Sequence, residues 1–372
     1  MGRKELLGDV ERIVIKVGTS SVTMGGSGVS SAFLDSIAEQ VKRLEDDGKD
    51  VFIVTSGAVG LGMRAMNVNP NPNDIPIRQA AASVGQSILM QTWNESFAKH
   101  GLLAAQILLT MDVYSDRDGA LNLNNTIDAL LRNKVVPIFN ENDAISIKQI
   151  GPAFGDNDTL SATIASRTDS DLLIILSDVD GLYDKNPKIH PDANIVRTVS
   201  DITDDIVGMA GDPTTSIGVG GMRTKIKAAS MCKDAGCRLI IASSGIPDII
   251  LKAVSGEEVG TIFVADAQIS KKRRWLKSAH AYGSIVIDEG AYNAVRNHLS
   301  LLPIGVIGVE GRFDKGDIVD IVFDGSVVAK GAPVYNSEEV SKVMGLHSGK
   351  IAEVLGRKSR KDIISSDNIA VL

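Results

Sequence analysis

Six short runs of apolar, largely β-branched residues, each halted by a Gly, Asn, Asp or Ser turn, constrain this 372-residue chain more than any other feature. They read RIVIKVG (12–18), DVFIVTSG (50–57), LLAAQILLT (102–110), KVVPIFNEND (134–143), DLLIILSD (171–178) and CRLIIASSG (237–245). Apolar character that is nearly continuous along a short run predicts a strand buried on both faces. Longer segments between the runs carry helical spacing. In 31–47, Phe33, Leu34, Ile37, Val41 and Leu44 recur on one face, and Gly48 supplies a stop. Strands alternating with helices predict an α/β fold, a mainly parallel sheet sandwiched between helices. Ligands of such sheets gather beyond the carboxyl ends of the strands, which is where the polar turns of this chain fall.

The pattern changes near residue 266. A polar, basic segment, DAQISKKRRWLKSA (266–279), precedes short strands with DKG and FDGS turns, which predict a small β-rich domain. The expected division is a catalytic α/β domain over 8–262, a linker over 263–278 and a β-rich domain over 279–363. The hydrophobic fraction of 44% and charged fraction of 23% are those of a globular protein, with aromatics scarce at 4%. A net charge of −7 argues against a nucleic-acid binder. From residue 280 onward ten Lys/Arg face twelve Asp/Glu, the reverse of a phosphate-binding footprint. Cys232 and Cys237 have no His nearby and read as buried free thiols. No signal-peptide core and no apolar run of about 18 residues is present. A cytoplasmic protein is expected.

The turns carry the chemistry. In IKVGTS, Lys16 closes a strand, and Gly18, Thr19 and Ser20 can aim backbone N–H groups at one anion. A solvated lysine beside a tight turn is the plainer reading, but an ammonium at the end of a buried strand needs a partner. VTSGA places Ser56, Gly57 and Ala58 where a carboxylate or phosphate can approach. NENDAI clusters Asn140, Glu141, Asn142 and Asp143, either as an Asx-rich turn or as the seat of a substrate ammonium. FGDNDTLSA brings Asp156, Asn157 and Asp158 to the start of a helix expected over 158–167. Asp156 and Asp158 can cap that helix, but capping needs one acceptor, and the surplus carboxylates point to cation holding, hard cations such as Mg²⁺ taking oxygen ligands with phosphates. LSDVDGLY offers Ser177 and Asp178. GVGGMRTKIKAA offers Val219, Gly220, Gly221, Met222, Arg223 and Thr224, with Lys225 in reach of phosphates. The chain contains no G-x-x-x-x-G-K-[ST] loop. Gly-anchored lysines, acidic turns and no His or Cys nucleophile converge on metal-assisted phosphoryl transfer.

In this order IKVGTS, VTSGA, FNENDA, FGDNDTLSA, LSDVDGLY and GVGGMRTKIKAA resemble the amino-acid kinase superfamily, and within it the bacterial glutamate 5-kinases. The tail resembles the PUA domain that follows many of these kinases. Aspartokinases are similar but open with a KFGGTS-like turn, which is missing here. Ser177 stands where Thr is expected, and Arg223 occupies a variable position.

The resemblance implies ATP-dependent phosphorylation of the γ-carboxylate of L-glutamate, the first step of proline biosynthesis. Lys16 would contact the transferring phosphoryl group, and Asp158 would orient Lys16 and Lys225. Ser56, Gly57, Ala58, Asp143, Asp156 and Asn157 would seat glutamate. Gly18, Thr19, Ser20, Ser177, Asp178 and 219–225 would hold ATP, with Mg²⁺ carried by the nucleotide and no protein ligand assigned to it. Proline feedback and a dimer or tetramer follow from the same resemblance. The rival readings are a related kinase of another small carboxylate, carbamate or a nucleoside monophosphate, and an RNA-binding protein acting through the tail.

Overall fold

The computed structural model describes the chain apart from residues 1, 24–27, 70–73, 111–116, 146–156, 188, 211–220, 266–275, 277–278, 280, 298 and 358, and the side chains of 117, 118 and 120. It divides into two compact units, Met1–Asp266 and Ala267–Leu372.

The first unit holds, among the described residues, an eight-stranded sheet. Its strands are β1 (Arg12–Val17), β2 (Asp50–Val54), β3 (Leu103–Leu109), β4 (Val135–Glu141), β5 (Leu172–Ser177), β6 (Thr198–Val199), β7 (Arg238–Ser243) and β8 (Thr261–Phe263). They lie in the order β3-β4-β2-β1-β5-β7-β8-β6. Only the β7–β8 pairing is antiparallel. The six apolar runs correspond to β1, β2, β3, β4, β5 and β7. One differs from expectation: β3 is the sheet edge, and its Leu103 is 65% exposed.

Helices in this unit are α1 (Arg3–Leu7), α2 (Thr19–Thr23), α3 (Ser31–Asp46), α4 (Ala58–Ala65), α5 (Ile75–Lys99), α6 (Arg117–Arg132), α7 (Asn157–Arg167), α8 (Asp204–Gly208), α9 (Met222–Asp234) and α10 (Ile249–Val254). Local chemistry sets their starts. The Ser30 hydroxyl accepts from the Phe33 N–H to open α3, and the Asp74 carboxylate accepts from the Ile77 N–H to open α5. Among the described residues no helix is long and apolar enough to cross a membrane.

The two faces of β1 serve different cores. Ile13, Ile15 and Val17 pack with Leu34 and Val41 of α3 and Leu89 and Trp93 of α5. Val14 packs on the other side with Leu160 and Ile164 of α7 and Ile226 and Ala229 of α9. Because side chains alternate along a strand, Lys16 shares the face of Val14 and lies under α7 and α9. Both cysteines are buried free thiols in this second core.

The second unit contains β9 (Gly283–Ile287), β10 (Val306–Gly311), β11 (Val319–Phe323), β12 (Ser326–Gly331) and β13 (Ile369–Val371). They form a sheet in the order β10-β9-β11-β12-β13, packed through Ile285, Val319, Ile321, Val340 and Ile364. The FDGS turn joins β11 to β12 with Asp324 and Gly325 both at positive φ, 48° and 72°, the geometry of a tight hairpin. Leu276, inside the segment expected to be a linker, is fully buried with Ile318, Ala332 and Ala370.

Candidate active site

Strands β4, β2, β1 and β5 are consecutive neighbours, so the turns at their carboxyl ends lie side by side. These are the NEND, VTSGA, IKVGTS and LSDVDG segments. In register, Lys16 pairs with Val54 of β2 and Ile175 of β5.

The site is organised around Asp158, which has no solvent exposure. The Lys16 Nζ lies 2.7 Å from its Oδ1 and the Lys225 Nζ 3.1 Å from its Oδ2. The Thr224 hydroxyl donates to the same Oδ2 at 2.9 Å. Lys16 and Lys225 are themselves only 8% and 5% exposed. Burial by itself raises the pKa of the Asp158 carboxyl. The charges of Lys16 and Lys225, with hydrogen bonds from Lys16 and Thr224, outweigh that and hold it below the ordinary carboxylate range. Asp158 therefore holds cations as the surplus acidity implied, but the cations are two ammonium groups. α7 begins at Asn157, Asp158 lies within its first turn, and its oxygens face the lysines.

The anion cradle is continuous with this clasp. A Cβ at Gly18 would sit 3.4 Å from the Lys16 Nζ, so the ammonium lies over the turn that ends its own strand. Thr19 donates to the Ser56 hydroxyl at 3.2 Å, and Ser56 donates to the Val17 carbonyl at 3.2 Å, which joins the first two motifs. Ser177, nearly buried, donates to Asp178 at 3.1 Å where β5 ends, one strand from Lys16. Met222 opens α9, and Ser20, Asp178, Gly221 and Arg223 are exposed.

A pocket of about 240 Å³ lies beside the VTSGA turn and holds Ala58, Glu141, Asn142 and Asp143 together with Gln86 of α5 and Gln106 of β3. Gly57 packs against Thr19. Asn157 faces inward, its amide donating to the Thr55 carbonyl at 2.6 Å and to the Asn140 oxygen at 3.1 Å. Asp156, Val219 and Gly220 lie outside the described residues. Among the described residues there is no cluster of three or more His, Cys, Asp or Glu able to hold a metal.

Sequence reasoning missed Gln86, Gln106 and the tie from Thr224 to Asp158. Gln86 had a legible signal. It falls in the buried stripe of α5 with Ala82, Leu89 and Trp93, and a polar side chain in such a stripe needs a partner.

Residues 11–243 match the amino acid kinase family and residues 283–355 the PUA domain. Glutamate 5-kinase of Methanosarcina mazei is 51% identical over 378 residues, spanning 100% of this chain and 98% of its own length. Glutamate 5-kinase of Caldanaerobacter subterraneus subsp. tengcongensis is 40% identical, covering 97% and 98%, and that of Geobacter sulfurreducens is 39% identical, covering 100% of both. With archaeal relatives at the higher identity, the bacterial restriction expected from the motifs is not supported. The chain belongs to the amino acid kinase family, among the glutamate 5-kinases, and has the mainly parallel sheet between helices of that fold followed by a PUA domain.

Proposed function

We propose that this protein transfers the γ-phosphoryl group of ATP to the γ-carboxylate of L-glutamate, giving L-glutamyl 5-phosphate for proline biosynthesis. The observation that carries the reading is the single buried carboxylate of Asp158 gripping both Lys16 and Lys225. Two ammonium groups against one carboxylate leave net positive charge where a polyanion must dock.

A γ-carboxylate has a reference pKa of about 4.3, so it is already a nucleophile at neutral pH and needs no general base. One carboxylate oxygen attacks the γ-phosphorus, the bond to the β,γ-bridging oxygen breaks, and ADP leaves with that electron pair. The demand on the protein is electrostatic, since one anion must approach another in line. Lys16 neutralises charge on the transferring group, and Lys225 holds the nucleotide phosphates. Asp158 keeps both in place, and Mg²⁺ would be carried by the nucleotide and would supply further charge neutralisation. Ser177, Asp178 and the start of α9 seat the nucleotide. Ser56, Asp143 and Asn157 serve glutamate, Asp143 by facing its ammonium group. The same reading includes end-product inhibition by proline, assembly into dimers or tetramers and a cytoplasmic location.

ADP release measured side by side with glutamate, aspartate, N-acetylglutamate and carbamate tests the substrate. Turnover with glutamate at least tenfold above the others is expected; turnover with aspartate alone would overturn the substrate assignment.

A further inference from the structure

Four side-chain amides run head to tail from the helix that carries Asp158 to the pocket beside Ala58. Asn157 donates to Asn140 at 3.1 Å, Asn140 donates to Gln86 at 2.8 Å, and Gln86 donates to Gln106 at 3.3 Å. Asn140, Gln86 and Asn157 are 2%, 8% and 8% exposed. Two backbone groups fix the direction of the chain. The Thr55 carbonyl can only accept, so the Asn157 nitrogen must face it, and the Glu141 N–H can only donate, so the Asn140 oxygen must face it at 2.9 Å. With Asn140 so fixed, its nitrogen meets the Gln86 oxygen, and the Gln86 nitrogen is left toward Gln106 and the pocket.

We propose that Gln86 is a positioning residue that couples the acceptor pocket to the Lys16–Asp158–Lys225 clasp through this amide chain. The inference rests on the kinase reading above and adds a residue to it. A carboxylate of the acceptor substrate other than the one that attacks phosphorus meets the donor side of Gln86 in the pocket. Tightening there is passed through Asn140 to Asn157, the residue before Asp158 at the start of α7. The three buried members hold one arrangement because reversing Asn157, Asn140 or Gln86 strands an unpaired donor or acceptor, while Gln106 at the end of the chain is exposed. The pocket and the clasp are thereby set together.

Two substitutions separate coupling from local packing. Gln86→Met keeps length and loses both hydrogen bonds; kcat is expected to fall about tenfold and the glutamate KM to rise about tenfold, the sizes of a lost buried hydrogen bond. Gln86→Glu keeps an oxygen for Asn140 but turns a carboxylate toward the pocket of Glu141 and Asp143. Its KM for glutamate is expected to rise about tenfold while kcat stays within about twofold of the wild type. Equal kcat losses in the two variants, or wild-type kcat and KM in both, would overturn the coupling. Should Gln86→Met fail to fold, Gln106→Met removes only the far acceptor and is expected to raise KM about threefold with kcat kept; a kcat loss as large as its KM change overturns the proposal. Hydroxylamine trapping on the wild type identifies the acceptor first. A trapped acyl phosphate from a carboxylate other than glutamate would refute the substrate reading, and the same ratios would then be read with that acceptor.

Discussion

Lys16 and Lys225 meet on one carboxylate: the first reaches Oδ1 of Asp158 at 2.7 Å from the end of β1, the second Oδ2 at 3.1 Å from the first turn of α9. All three side chains are at least nine-tenths buried. If these ammonium groups stabilise the migrating phosphoryl group, Lys16→Ala and Lys225→Ala should each lower kcat by about 10²–10³, as removal of one preorganised donor does elsewhere. Steady-state ADP release at saturating substrates measures this, and turnover within tenfold of the wild type would remove that lysine from the mechanism.

The same grouping makes Asp158 a stability element. Removing the carboxylate leaves two buried ammonium groups facing each other, so Asp158→Asn should cost about 3–5 kcal/mol of unfolding free energy. Urea unfolding reads the difference. A loss under about 1 kcal/mol would mean that the lysines find other partners.

Because the Asp158 pKa is held below its ordinary value, the sign of its pH dependence is fixed. The folded state binds the proton less readily than the unfolded one, whose carboxyl titrates near about 3.9. The stabilisation is therefore fully present above that value and lost as pH falls toward the lower folded pKa. The stability gap between wild type and Asp158→Asn should stay level from pH 7 to about 5 and shrink below about 4. A gap that widens on acidification would contradict the assignment.

Helices α4 and α5 cross at two glycines, which places Ala58 against the pocket. A Cβ at Gly62 would lie 1.7 Å from the Ala81 carbonyl oxygen, and one at Gly85 would lie 1.8 Å from that of Ala58. Gly62→Ala must push the helices apart, with an expected cost of about 3 kcal/mol and a raised glutamate KM. Thermal unfolding and steady-state kinetics check both.

Arg3, in the short helix α1, buries its guanidinium among the carbonyls of Arg197, Glu257, Val259 and Gly260. Arg3→Met should lose about 2 kcal/mol, since charge-assisted bonds are lost and buried carbonyls are left without a donor. An unchanged midpoint in urea would show that those carbonyls are satisfied otherwise.

The strands and the turns that carry the candidate site were legible because apolar runs and their polar stops are local. Val14 and Lys16, two apart, already put the lysine on one face of β1. What covers that face is not local: Asp158 and Thr224 arrive from distant segments, and an acid in the first turn of a helix reads equally well as a cap or as a clasp. The exposure of Leu103 was hidden for a similar reason. An apolar run looks the same at the edge of a sheet as at its centre, and only pairing partners tell them apart. The polar side chain of Gln86 in an apolar stripe was legible, but its partners, Asn140 and Gln106, lie on other elements and were not. Within the segment read as a linker, the basic neighbours of Leu276 set the expectation, and its apolar side chain packs with Ile318, Ala332 and Ala370, partners no local pattern names.

The most direct test follows the oxygen. With glutamate carrying ¹⁸O in its γ-carboxylate, ATP and hydroxylamine, attack of the carboxylate on the γ-phosphorus puts one labelled oxygen into each phosphate released by trapping. Lys16→Ala should slow the appearance of that label about 10²–10³-fold without altering its stoichiometry. Phosphate released without ¹⁸O would show that the carboxylate never bonded to phosphorus and would contradict the phosphoryl transfer assigned to the Asp158 clasp.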